Sequence, residues 1–406
     1  MIKGVELLDL NQLKREAEGL PKGSILKVLV ERLLEEAMKQ EREEFLTLSK
    51  NNSSNKANGY YTRSLIWGSN TLKVNVPRDR RGQFRSVFLP EYYERSIDEN
   101  YERIIASLVS NGYSKTKLLN FLRSLKLPYN RRSLERIVNR IHKAALAFKN
   151  RQLPERAIAL YIDGYHTSIK DSEGKVVKVV IYTALGIDFQ LKKDIYGWWV
   201  IKGSESKEKW KEVFKELIER GLKKISIIIS DNLAGIKEVV KAFYPKANHQ
   251  LCLVHLARNI RKSMQREDAK ELIEKLTQMR KKDLEFKKGK EILKEQLKAY
   301  KGKYRRFIES VEKDLNNYLS FLKYPTKVKK YFYSTNPIEN FNSVIERQVK
   351  SISGYFPSKR FLDINIYLAR ERLIKKRWRS GIPALKGVIY ELTQIFNIQY
   401  FEEEEK

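Results

Sequence analysis

Two short runs decide most of what this chain can fold into. "AIALYID" at residues 157–163 and "KISIIISD" at 224–231 each carry a mainly apolar stretch into an aspartate. Short apolar runs bounded by polar segments read as strands covered on both faces, the environment of a parallel sheet flanked by helices. A carboxylate closing such a strand is costly to bury unless it is paired or holds a metal. Gly164 and a polar stretch follow Asp163, so that strand is expected to end there. Asp231 opens the loop "DNLAG" and should project from the carboxyl edge of the sheet. Either aspartate alone reads equally as a helix cap. On adjacent parallel strands the pair reads otherwise, because close carboxylates repel unless they share a proton or a cation. Hard divalent cations favour oxygen ligands.

The segments around these runs supply an architecture. "KVVKVVIYTALGID" and "KKDIYGWWVIKG" read as two more strands, "KEKWKEVFKELIERG" as a helix ended by Gly221, "AGIKEVVKAFYP" as a helix stopped by Pro245, and "NHQLCLVHL" as a fifth strand running into a helix. Three neighbouring strands, then helix, strand, helix, strand is the order of a ribonuclease-H-like domain. Residues 258–330 break the alternation: they are helical in pattern and hold 23 Lys/Arg against 11 Asp/Glu. They read as an all-helical insertion on the nucleic-acid side, followed by a turn and helix in "STNPIENFNSVIERQVK".

Upstream, residues 24–48 carry apolar side chains at helical spacing, suited to packing or self-association. "NNSSNKANG" at 51–59 reads as a linker, "TRSLIWGSNTLKVNVP" as a hairpin turning at Gly68-Ser69-Asn70, and "RDRRGQFR" as a basic loop. Residues 98–149 show three stretches of helical periodicity, punctuated by Gly112 and Pro128, with Ser114 and Ser133 as candidate N-caps. Short helices with tight turns suit a helix-turn-helix DNA reader. Arg131, Arg132, Arg136, Arg140 and Lys143 cluster on or before the third and are its candidate DNA contacts. The expected fold class is multi-domain α/β. Its segments are a helical, self-associating segment with linker (1–59), a β-hairpin region (60–95), the reader (96–150), the first part of the catalytic core (151–257), the insertion (258–330), the last part of the core (331–380) and a C-terminal tail (381–406).

Charge narrows the partner. Lys and Arg number 81 against 50 acids, a net +31 in 406 residues, and an excess that large points to a polyanion, most commonly nucleic acid. Nothing approaches the ~18 consecutive apolar residues of a membrane span, and the start lacks the apolar segment of a signal peptide. The single cysteine excludes an internal disulfide framework and fits a reducing cytoplasm.

A second metal needs a third acid. Glu339 and Glu346, seven apart, fall on nearly the same face of the helix after Asn336-Pro337, and periodicity does not separate them. His249, Cys252 and His255 are spaced three apart, but a structural zinc site needs about four ligands, and the chain has one Cys and four His. His166 reads as a polar loop residue or a DNA contact. Trp198, Trp199 and Trp210 read as packing of the sheet against its helix, and Tyr300, Tyr304, Phe307 and Tyr318 as stacking surfaces for bases.

Over nearly its whole length the chain resembles the Mutator-type DDE transposases of prokaryotic insertion sequences. The resemblance rests on "ID" at Asp163, "ALGID" at 184–188, "GWW" before Trp210, "RGLKKISIIISDNLAGIKEVVKAFYP", "QLCLVHLARN" and "TNPIENFNSVIERQ", the last three in that order being specific. It implies Asp163, Asp231 and Glu339 as the catalytic and metal-holding acids, separated by 67 and 107 residues. It makes Cys252 and His255 a recurring structural motif and gives Arg347 a phosphate contact. Asn232 stands where the family usually has glycine, and Glu346 where a basic residue is commoner. The implied activity is cleavage of 3′ ends and strand transfer at inverted-repeat ends, with two Mg2+ ions (Mn2+ substituting). The implied setting is a homodimer on double-stranded DNA in the cytoplasm, at the nucleoid, with neither membrane nor small-molecule substrate. A structure-selective nuclease on the same core and an inactive DNA-binding remnant are the competing expectations.

Overall fold

The computed structural model describes residues 22–49, 55–67, 70–90, 120, 131–281, 283–351, 354–376, 378 and 381–401. They divide into two compact units, Met1–Ile141 and His142–Lys406. The expected reader thus lies mostly outside the described residues, Ser114 included. Its third helix is seen as α2 below.

In the first unit, helix α1 (Lys22–Ser49) precedes an antiparallel hairpin of β1 (Ala57–Trp67) and β2 (Asn70–Asp79), in which Trp67 pairs with Asn70. Met38 of α1 is buried with Leu65, Leu72, Val74 and Val76 of the hairpin. The Glu31 and Glu35 carboxylates of α1 accept the backbone N–H groups of Lys73 (2.6 Å) and Asn75 (2.7 Å), donors that β2 would otherwise expose as an edge strand. The helix read as a self-association element therefore spends part of its apolar face inside its own unit, while Leu26 and Leu33 stay exposed.

The linker reading fails from residue 55 onward. Asn55 is buried and donates to the Asp79 carboxylate at 2.7 Å. Asp79 also accepts from the backbone N–H groups of Gln83 (3.1 Å) and Phe84 (2.9 Å). Burial alone would raise this carboxyl, but the Asn55 and backbone donors outweigh it and hold the pKa down at about 2. The basic loop is thus a fixed turn, from which Arg80, Arg81 and Arg85 are exposed.

Helix α2 (Arg131–Lys149) contains Ser133 inside its first turn rather than at its cap. The second unit then builds a five-stranded sheet in the order β5-β4-β3-β6-β7. Strands β3 (Arg156–Lys170), β4 (Val176–Asp188) and β5 (Lys193–Lys202) are antiparallel neighbours. After helix α3 (Lys207–Glu219), β6 (Lys224–Ser230) lies parallel to β3. After α4 (Ile236–Phe243), β7 (Asn248–Leu251) lies parallel to β6. Both sheet faces are covered, which is why the strands read as apolar runs. Leu160, Ile162, Tyr182 and Ile228 face α3 and α4, with Trp199, Trp210 and Phe214 in the same cluster. Tyr161, Val179, Ile227 and Ile229 face the helices that follow. Trp198 belongs to this second face, not to the α3 side as expected, because successive strand residues point to opposite faces. Its Nε1 donates to Asp363 at 2.7 Å.

Those helices are α5 (Leu253–Ser263), α6 (Arg266–Lys281), α7 (Phe286–Lys313), α8 (Leu315–Tyr318), a 3-10 turn (Ser320–Lys323), α9 (Thr326–Phe332), α10 (Asn336–Ser351), α11 (Lys359–Lys376), α12 (Pro383–Lys386) and α13 (Ile389–Tyr400). From 253 to 332 the described residues form helices joined by short turns, with no strand. Tyr300 and Tyr318 are buried at 5% and 4% exposure, so they serve the core and offer no stacking surface. The segment from 381 is no tail: Leu392, Phe396 and Tyr400 are buried, and the Tyr400 hydroxyl accepts from Ile225 N (3.0 Å) and donates to Ile225 O (2.8 Å) on β6. No helix among the described residues is long and apolar enough to cross a membrane.

Candidate active site

Strand β3 does not stop at Asp163. It runs on to Lys170 in antiparallel register with β4, Asp163 opposite Thr183. The polar stretch after Gly164 is the half-exposed arm of a hairpin, which tolerates polar residues. The parallel pairing with β6, however, ends at Tyr161↔Ile229. Beyond that point the β6 side of β3 is open, and Asp231 follows the last residue of β6 there.

Helix α10 supplies the third acid. Glu339 sits in its first turn, where the helix dipole favours negative charge. One turn on, Asn342 donates from Nδ2 to Asp163 Oδ2 at 2.7 Å, which docks α10 onto β3. The Glu339 carboxylate is gripped at both oxygens: Thr335 Oγ1 lies 2.9 Å from Oε1, and Arg258 Nη2 3.2 Å from Oε2. Glu346 is turned elsewhere. It pairs with Lys350 at 2.7 Å, its side chain 43% exposed. Arg347 beside it is exposed.

His255, on α5, joins the acids. Its Nδ1 contacts Asp231 Oδ1 and lies 3.7 Å from Glu339 Oε1. Arg258 Nη1 lies 2.7 Å from Nε2. A guanidinium only donates, so Nε2 accepts and the ring proton is on Nδ1, aimed at Asp231. Burial lowers the His255 pKa, yet the hydrogen bonds to Asp231 and Cys252 override it and lift it to about 10. That shift favours a second proton on Nε2, which the guanidinium 2.7 Å away opposes; the neutral Nδ1–H ring is the form that satisfies both partners.

Cys252 is buried, and its Sγ accepts from Thr335 N at 3.4 Å and lies 3.2 Å from Thr335 Oγ1. Asp231, Cys252 and His255 bring an oxygen, a sulfur and a nitrogen within 4.8 Å of one another. The His249, Cys252 and His255 trio of the sequence is not assembled: His249 Nε2 is 2.8 Å from Ser230 Oγ, and burial pushes its pKa down to about 4.

Asp163 responds to both of the other acids. Burial first, and then the Asp231 and Glu339 carboxylates, raise Asp163 to about 6 against the opposing Asn342 hydrogen bond. The three carboxylates offer the oxygen donors that suit a hard divalent cation, while Cys252 and His255 add a sulfur and a nitrogen beside Asp231. The loop after Asp231 is held as well. Asn232 Nδ2 donates to Asp314 Oδ2 at 3.1 Å, and Lys237 Nζ lies 2.5 Å from Asp314 Oδ1. Asn232, where the sequence departs from the resembled family, thus ties the loop to the cap of α8.

Sequence reasoning passed over one acid. Glu205, between β5 and α3, accepts from Trp210 Nε1 at 2.8 Å. Burial chiefly, with Asp163 and Asp231 adding, raises it to about 7 against the Trp210 hydrogen bond. His166 Nε2 stands 3.9 Å from Glu205 Oε2, its own side chain 64% exposed. The only hint in the sequence was the glycine after Asp163. On α2, Arg132, Arg136, Arg140 and Lys143 are exposed at helical spacing on one face, and the side chain of Arg131 lies outside the described residues.

The family described as "Transposase, Mutator family" matches residues 1–374. A transposase for insertion sequence element IS905 of Lactococcus lactis is 29% identical over 314 residues, 77% of this chain and 78% of that one. A probable transposase for an ISRM3-like element of Sinorhizobium fredii is 28% identical over 402 residues, 98% of each. A solved Drosophila P element transposase strand transfer complex overlays at 13% identity with a TM-score of 0.28, covering 80% of this chain and 95% of that one, too loose a fit to inform the fold.

Proposed function

The chain belongs to the Mutator family of transposases, and from that premise we propose that this DNA transposase cleaves 3′ ends and transfers strands at the inverted-repeat ends of an insertion sequence in a metal-dependent reaction. One observation carries this reading: Asn342 docks α10 onto Asp163 of β3, and Glu339 from the first turn of α10 shares His255 Nδ1 with Asp231 from the end of β6. The strand order supports a ribonuclease-H-like core, with the helices from α5 to α9 as its insertion.

Asp163, Asp231 and Glu339 are the residues that would hold two Mg2+ ions, Mn2+ substituting. Bound ions supply a water of lowered pKa and neutralise charge on the leaving 3′ oxygen. The surrounding side chains keep the acids aimed. Asn342 holds Asp163 by one oxygen, His255 does the same for Asp231, and Arg258 with Thr335 fixes Glu339. The freed 3′-hydroxyl then attacks a second phosphodiester. One P–O bond forms, one breaks, and the departing oxygen takes a proton.

The basic face of α2 and the helical segment, with its 23 basic and 11 acidic residues in 258–330, are the DNA-contacting surfaces. Exposed Arg347 on α10 adds a phosphate contact. Leu26 and Leu33 on α1 are the side chains left to pack against a second copy.

Full-length protein incubated with Mg2+, a labelled element end and a circular target is expected to yield both nicked ends and joined products. Cuts with no joined product would favour a plain nuclease. In the same assay Glu346→Gln should stay within about fivefold of wild type, since a surface pair such as Glu346–Lys350 contributes under ~1 kcal/mol. If Glu346→Gln is inactive and Glu339→Gln active, the third acid is misassigned.

A further inference from the structure

Gly164 leaves a space beside Asp163 that another acid fills. A methyl group built on its Cα would stand 2.5 and 2.7 Å from the two carboxylate oxygens of Glu205. Side chains alternate along a strand, so Asp163 faces α10 while the bare Cα of Gly164 faces the α3 side of the sheet. Glu205 fills the space a side chain would take. It therefore abuts β3 at the residue next to Asp163, from the opposite face. This happens beyond Tyr161↔Ile229, where β3 has outrun β6 and no strand separates that face from Asp231.

The position is built rather than incidental. Ser206, the next residue, donates its backbone N–H to the Tyr182 hydroxyl at 3.1 Å, and its side chain caps α3. Tyr182 and Trp210 are buried and pack edge to face at 4.9 Å. Glu205 is thus pinned beside an aromatic pair, with its carboxylate between Trp210 Nε1 and the bare Cα of Gly164. An ionised carboxylate offers roughly four acceptor sites. This one is only 12% exposed, accepts one hydrogen bond from Trp210, and has His166 at 3.9 Å, beyond hydrogen-bond reach. A nearly buried carboxylate with one donor, beside two more acids, has only the exposed His166, at 3.9 Å, as a potential positive partner.

We propose that Glu205 is a fourth carboxylate of the active site, helping Asp163 to hold a divalent cation around the open edge of β3. The inference rests on the metal-dependent reading above, and its test separates the two. Mn2+ binding to the full chain is measured by the paramagnetic resonance of free Mn2+, for wild type, Glu205→Gln, Gly164→Ala and Asp163→Asn. Glu205→Gln keeps a carbonyl for Trp210 but removes the charge, and about a tenfold loss of Mn2+ affinity is expected. Gly164→Ala keeps the charge but displaces it, and should lose affinity in the same direction. Melting of the metal-free proteins identifies any variant that has lost its fold, and Glu205→Gln, the isosteric change, decides if Gly164→Ala is one. Wild-type Mn2+ affinity in Glu205→Gln alongside a loss in Asp163→Asn would overturn this inference alone, leaving Glu205 a protonated structural acid. Unchanged affinity in Asp163→Asn would overturn the metal reading and this inference together.

Discussion

Asp163→Asn, Asp231→Asn and Glu339→Gln should each lower end cleavage by about three orders of magnitude or more, the ~4 kcal/mol that a cation's stabilisation of the reacting oxygens supplies. Each change keeps size and hydrogen-bonding capacity and removes one negative charge. Asn342 still finds an oxygen at position 163, and at 339 the amide carbonyl can accept from Arg258 while its NH2 donates to Thr335 Oγ1. DNA binding should therefore persist. Without metal, Asp163→Asn should be no less stable than wild type, because it relieves repulsion from Asp231 and Glu339. The sign can be checked by pH. A carboxyl raised from 3.8 to about 6 adds stability at low pH, which is lost as pH rises through about 6. The metal-free wild type should lose that increment over the window, and the Asn variant should not. Cleavage within tenfold of wild type in any of the three would remove that acid from the site.

The second large effect is on folding. Asp194→Ala should destabilise the 142–406 unit by about 3 kcal/mol, the lower end of the cost of stranding a buried charge. Arg370 clasps Asp194 in a fork, Nε to Oδ1 and Nη2 to Oδ2, both at 2.7 Å. Arg151 adds a bond from Nη2 to Oδ2 at 3.1 Å. The arginine side chains are 15% and 27% exposed, and both guanidinium groups lie over the Phe148 ring. Removing the carboxylate leaves two cations facing one another, which also loosens α11 from β5. Urea unfolding of wild type and variant measures the difference. A change below about 1 kcal/mol would mean that the clasp behaves as a surface pair.

That clasp shows where sequence reasoning stops. Its partners lie 43 and 176 residues apart, and nothing local marks Asp194 as different from the other acids around it. The strands were legible because helices cover both sheet faces, so burial wrote itself as apolar runs. Asp163 and Asp231 were legible for the same reason, as charges that interrupt those runs. The end of β3 was misread because its outer half is an antiparallel arm with a polar side, which looks like a loop in sequence. Trp198 was assigned to the wrong face because a single residue of register decides the face. Tyr300 and Tyr318 looked available for bases because helical periodicity does not say what covers a helix. Glu339 and Glu346 share a periodicity and are parted only by tertiary contacts: one meets Arg258 and Thr335, the other Lys350. Glu205 had no motif at all, only the missing side chain at Gly164.

The proposed reaction needs three distant segments to meet around a divalent cation. Iron(II) can take the place of Mg2+ in an all-carboxylate site, and with ascorbate and peroxide it cuts the polypeptide next to where it is bound. Full-length protein treated in this way, with the fragments mapped by mass, should be cut near residues 163, 231 and 339 together. Excess Mg2+ should suppress all three cuts in parallel, and Asp163→Asn should weaken them. Cuts clustered elsewhere, or cuts at these segments that excess Mg2+ leaves unchanged, would contradict the account.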